Sequence, residues 1–85
     1  MEISSRSPKV ASIEIQEIQI SGETIRLGQL LKLSGIAESG GDGKALLAEG
    51  EVRVNGVTET RRGRQLHDGD LVQARGATAR VMAAR

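Results

Sequence analysis

Hydrophobic and polar positions change their period twice along this chain. Over Val10–Ile20 they alternate, as in a half-buried strand, with Ile13 and Ile15 on one parity and Ile18 and Ile20 on the other. Either a bulge near Gln16-Glu17 returns all four to one buried face, or the second half of the strand switches faces. Ser21-Gly22-Glu23 reads as a turn. From Leu27 the spacing becomes helical: Leu27, Leu30, Leu31 and Ser34 share a face, Leu33 lies at its border, and Gly35 supplies the stop. Ile36-Ala37 links to a second helix. Ser39 is its N-cap, Asp42 sits in the first turn where a carboxylate suits the helix dipole, Leu46 and Leu47 are the buried pair, and Gly50 is the exit.

After Gly50 the period falls to two. Val52 and Val54 face inward and Arg53 outward, Asn55-Gly56 signals a type I′ hairpin, and Val57 to Thr60 forms the return strand. Leu66-His67-Asp68-Gly69-Asp70 reads as a second turn, leading into a strand over 71–75, a turn at Gly76 and a last strand over Ala79–Ala83. Residues 1–9 are polar and Ser-rich and read as a flexible arm, leaving 10–85 as a single domain. The order strand, helix, helix, sheet predicts an α+β fold: two short helices packed on a small, mostly antiparallel sheet, with an extra N-terminal strand.

Composition narrows the chemistry. The 85 residues are 38 % hydrophobic and contain no Phe, Trp or Tyr, so aliphatic side chains alone fill the core. A single-strand reader that stacks bases on aromatic rings is thereby excluded. There is no cysteine, hence no disulfide, thiol nucleophile or Cys-based zinc site, and neither cofactor nor metal is expected. Apolar runs reach only four residues, the N-terminus lacks a signal-peptide pattern, and a soluble cytoplasmic monomer is expected. Net charge is +1, unevenly spread: residues 1–25 carry −2, and residues 26–85 carry ten Lys or Arg against seven Asp or Glu, a balance of +3.

The candidate chemistry is anion binding. A helix entered at Ser39 through Gly40 and Gly41 offers free backbone amides to an anion, with Lys44 on its first turns and Arg53 on the following strand. Arg26 precedes the first helix, and Arg61, Arg62 and Arg64 add three cations within four residues. Arginine is the residue of choice for bidentate phosphate contacts, although a solvated cationic strand edge is the bland alternative. Ser39 is first a cap and Asn55 first a turn residue, with RNA contact secondary for both. The glycines do not make a nucleotide loop. A P-loop ending at Gly43-Lys44 would need glycine at 38 and Ser or Thr at 45, where Glu38 and Ala45 stand. No catalytic constellation is present in the pattern, and no enzyme is expected.

The chain resembles the RNA-binding domain named after ribosomal small-subunit protein four, the S4 domain with its αL motif. The residues that carry the resemblance are Arg26-Leu27-Gly28-Gln29-Leu30-Leu31, the helix Ser39-Gly40-Gly41-Asp42-Gly43-Lys44-Ala45-Leu46-Leu47, and Gly50-Glu51-Val52-Arg53-Val54-Asn55-Gly56. These lie within a core motif spanning residues 26–75. Leu33, Glu38–Gly41 and Glu59–Arg64 are similar to the small stand-alone bacterial members, the YbcJ-like group. Two positions depart: Gly28 replaces the family's Asp, removing a carboxylate that could orient Arg26, and Gly40 replaces a frequent Arg. The resemblance implies a non-catalytic module that binds structured or ribosomal RNA through phosphate contacts, in translation or ribosome biology. It involves no membrane and no small-molecule substrate. Its implied contacts are Arg26, Ser39, Gly40, Gly41, Lys44, Arg53, Asn55, Arg61, Arg62 and Arg64. The alternatives are a small β-grasp carrier, against which the ending Ala83-Ala84-Arg85 in place of Gly-Gly speaks, or a protein interaction module.

Overall fold

In the computed structural model residues 15–83 are described; the expected arm, Ile13 and the start of the first strand lie outside them. Seven strands and two helices follow in the order β1 (Ile15–Ile20), β2 (Thr24–Arg26), α1 (Leu27–Leu33), α2 (Gly40–Ala48), β3 (Arg53–Val54), β4 (Val57–Thr58), β5 (Gln65–His67), β6 (Leu71–Ala74) and β7 (Ala77–Ala83). Five strands form one mixed sheet in the order β1-β7-β6-β3-β4, parallel only between β1 and β7. The other two, β2 and β5, pair antiparallel as a separate ribbon.

One aliphatic core holds the layers together. Leu27, Leu30 and Leu31 of α1 and Leu46 and Leu47 of α2 meet Val52, Val54, Leu66, Val72, Ala79 and Val81 from the strands, all buried. Gly43 is buried where the helices meet, and a Cβ there would make only ordinary contacts, 3.6 Å from Ala37 Cβ and 3.9 Å from Leu31 Cδ1. The exits from both helices have positive φ, at Gly35 (+80°) and Gly50 (+73°), as the sequence predicts.

Several expectations change. The register of β1 on β7 runs unbroken from Ile15↔Thr78 to Ile20↔Ala83, so there is no bulge at Gln16-Glu17. Ile18 and Ile20 are buried while Ile15 lies exposed on the opposite face, the face-switching alternative. Leu66 and His67 belong to β5 rather than to a turn, because they pair with Ile25 and Thr24. Strand β2 itself is too short to register as alternation. The return strand β4 ends at Thr58, and Glu59 and Thr60 leave it. Leu33, placed at the helix border, is 56 % exposed.

Candidate functional site

The sequence-predicted residues fall in two places, and no hydrogen bond or ion pair among the described residues joins them. The first lies at the start of α1. Arg26 is its extended N-cap residue and makes no side-chain cap. The amides of Leu27 and Gly28 donate instead to the carbonyls of Arg64 (2.9 Å) and Arg62 (3.0 Å). The loop 59–64 is thus laid over the helix mouth by backbone bonds, which brings Arg62 and Arg64 beside Arg26, with Arg61 joined to Arg64 through Glu59. Arg26, Gly28, Gln29, Arg62 and Gly63 line a shallow open depression of about 330 Å³ there. Gly28 has a specific part: a Cβ on it would stand 3.3 Å from Arg62 Nε and 3.6 Å from Arg62 Cγ. The space of the missing Asp is occupied by an arginine.

Glu59 organises this loop. Its Oε2 accepts from the amides of Thr60 and Arg61 and from Arg61 Nε, each at 3.0 Å. Its Oε1 accepts from Arg61 Nη2 at 3.1 Å and Arg64 Nη1 at 3.0 Å. These donors, the Arg61 side chain foremost and then the Arg61 amide and Arg64, hold the carboxyl well below the usual carboxylate range, and the same bonds push the Arg61 guanidinium up. The arginines are therefore not three free cations: two share one carboxylate, and Arg62 has no carboxylate partner among the described residues. Four arginines still face a single acid, so the end remains strongly cationic. The signal for Glu59 in the sequence is a lone acidic residue two positions before Arg61-Arg62-Gly63-Arg64.

The second place is the start of α2. Ser39 caps the helix as expected, its Oγ accepting from the Asp42 amide at 3.1 Å. Gly40 and Gly41 open the helix; a Cβ on Gly40 would meet nothing, and one on Gly41 only Ser39 Oγ at 3.9 Å, so neither glycine is sterically required. Asp42 does more than sit near the dipole. Its carboxylate accepts from the Glu38 amide (2.9 Å) and takes a bidentate fork from Arg75 (2.7 and 2.9 Å), while Arg75 Nη1 also donates to the Ile36 carbonyl. Arg75, then the Glu38 amide, holds the Asp42 carboxyl below its ordinary range. Arg75, at positive φ in the turn after β6, is missed by sequence reading, because its partner lies 33 residues away.

Lys44 is exposed on α2, and Arg53 points out of the sheet opposite Gln73 and Thr58, beside a concavity of about 370 Å³ that Arg75 also lines. Asn55, expected at the site, is engaged within the protein. At φ +53° it makes the hairpin turn, its Nδ2 donates to Asp70 Oδ1 (3.1 Å), and its Oδ1 accepts from the Leu71 amide (3.0 Å). Among the described residues no group of three His, Cys, Asp or Glu could hold a metal ion, and no helix is long and apolar enough to cross a membrane.

Comparison with known proteins gives this geometry its context. A family model described as the S4 domain matches residues 18–82. A relative in Bacillus subtilis (strain 168), named "Probable ribosome maturation protein RlbA", is 49 % identical over 59 residues, which is 69 % of this chain and 83 % of that protein. YbcJ of Escherichia coli (strain K12) is 41 % identical over 59 residues, 69 % of this chain and 84 % of YbcJ. The solution structure of YbcJ, described as revealing an αL motif involved in RNA-binding, superposes with a TM-score of 0.61 at 31 % identity. That match covers 94 % of this chain and 100 % of YbcJ.

Proposed function

The chain belongs to the S4 domain family, and on that premise we propose that it is a non-catalytic RNA-binding module that grips structured RNA by its phosphates. The observation that carries this reading is the convergence of Arg26, Arg61, Arg62 and Arg64 on the α1 mouth against the single carboxylate of Glu59. Arginine forks match phosphate oxygens, and with no aromatic side chain in the protein, recognition rests on backbone charge and shape. Ser39, whose hydroxyl proton remains available, Gly40, Gly41, Lys44 and Arg53 supply a flanking contact region. Asn55 serves by fixing the hairpin that carries Arg53. Its likeness to a probable ribosome maturation protein and to a protein with an RNA-binding αL motif supports ribosomal RNA as the ligand and ribosome maturation as the setting. The module acts in the cytoplasm as a monomer spanning residues 10–85, with core motif 26–75 and without a small-molecule substrate.

Binding of purified ribosomal RNA across a salt series tests the mechanism. With about three phosphates neutralised by the α1-mouth arginines, log K falls with log salt with a slope of roughly −2 to −3. An affinity indifferent to salt sinks the phosphate mechanism.

A further inference from the structure

Resting on the RNA-binding reading above, we propose that Glu59 is a positioning residue. Its carboxylate holds Arg61 and Arg64 in the orientation that meets a phosphate backbone, so an acid at the centre of a cationic surface strengthens binding. Glu59 is only 7 % exposed, and its amide donates to the carbonyl of the fully buried Val52 at 2.9 Å, which pins the residue to the core. From that fixed point the carboxylate reaches both arginines. Arg61 presents Nε and Nη2 to it and keeps three of its five N–H donors; Arg64 presents Nη1 alone and keeps four. The donors left over on Arg61 belong to a fork whose plane two bonds already set, and Arg64 is anchored at one nitrogen.

The loop itself has little freedom, because the Arg62 and Arg64 carbonyls are held by the Gly28 and Leu27 amides. A free arginine loses much rotamer freedom when it engages a phosphate; a braced one has lost it before the RNA arrives. Two effects therefore oppose each other at Glu59. Its charge repels phosphate, while its bonds pre-organise two cations. Both carboxylate oxygens are covered by donors and the surrounding charge stays positive, so pre-organisation wins.

The test measures affinity for a labelled RNA hairpin and for purified ribosomal RNA, with melting recorded in parallel. Glu59→Gln and Glu59→Asp both bind about tenfold more weakly than wild type, the Gln variant despite losing a negative charge. Arg61→Lys, which keeps the charge but drops the fork, is weakened several-fold. Because the Arg61 side chain is 74 % exposed, this variant carries the test even if both Glu59 variants melt. In an Arg61→Gln/Arg64→Gln background, Glu59→Asp has no further effect, since nothing is left to position. If wild type binds with normal salt dependence and Glu59→Gln binds as tightly or more tightly, the positioning role is overturned and RNA binding stands. Equal losses from Glu59→Asp in both backgrounds also overturn it, assigning Glu59 to the fold alone. Unchanged binding by Arg61→Lys counts against it likewise. Failure of wild type to bind either RNA removes both readings.

Discussion

The mouths of α1 and α2 use the same device, a carboxylate accepting from arginine and from backbone amides, with opposite results. At α2, Asp42 and Arg75 form a closed bidentate pair, and Glu38 and Glu51 also act on Arg75, so the mouth has no surplus of positive charge. At α1, Glu59 takes only part of two arginines, and Arg26 and Arg62 stand alongside without carboxylate partners among the described residues. A carboxylate can neutralise a cation or aim it, and the number of cations it serves decides which. The glycine-entered helix that dominates the sequence pattern therefore carries less unpaired positive charge than the loop after β4.

The largest test of this contrast is Arg61→Gln/Arg62→Gln/Arg64→Gln, which should lower RNA affinity about a hundredfold or more, since charged hydrogen bonds contribute about 1.5–3 kcal/mol each. Glutamine is the right replacement, because a glutamate at 61 or 64 would face Glu59. The matching change at α2, Lys44→Gln, should stay within about threefold, as for one peripheral contact. A larger loss at Lys44 than at the loop reverses the assignment. A smaller effect is expected from Gly28→Asp. The new carboxylate lands against Arg62 and draws it into an ion pair, and filter binding should show a loss of about fivefold, in the range of one weak ion pair. Tighter binding would mean that Arg62 makes no contact.

Acid should separate the two mouths by order. Both carboxyls titrate lower in the folded protein than in the unfolded chain, so the unfolded state binds more protons in acid. Their contribution is complete at neutral pH and is lost as pH falls below the normal carboxylate range, about 4. Glu59 accepts from five donors and Asp42 from three. In an NMR titration the Glu38 amide should therefore shift before those of Thr60 and Arg61. The smallest effect is Ser39→Ala, which removes the cap at about 1 kcal/mol of stability and leaves affinity within about twofold. A large affinity loss without destabilisation would make the hydroxyl a principal contact rather than a flanking one.

Much of the fold was legible because local signals agreed: helical leucine spacing from Leu27, the Ser39 cap, Gly50, and the Asn55-Gly56 turn all hold. What escaped was non-local. The three-residue β2 becomes a strand only through β5, 41 residues on at Leu66 for Ile25, and Arg75 becomes a brace only through Asp42. Every candidate cation was visible, but its state was not. Whether Arg61 is free depends on where Glu59 points, and whether Gly28 is a loss depends on Arg62 filling its place.

The parallel pairing of β1 with β7 sets a timetable. Ile15 and its partner Thr78 are 63 residues apart, whereas α1, α2 and the β3–β4 hairpin close within their own neighbourhoods. During synthesis the arginine-bearing loop can settle on α1 once β5 has been made, while Ile18 and Ile20 stay uncovered until β7 emerges. Docking of the first described strand thus waits for the most distant strand of the described sheet, and a chain truncated after Gly76 should offer that strand to proteases while already protecting the loop.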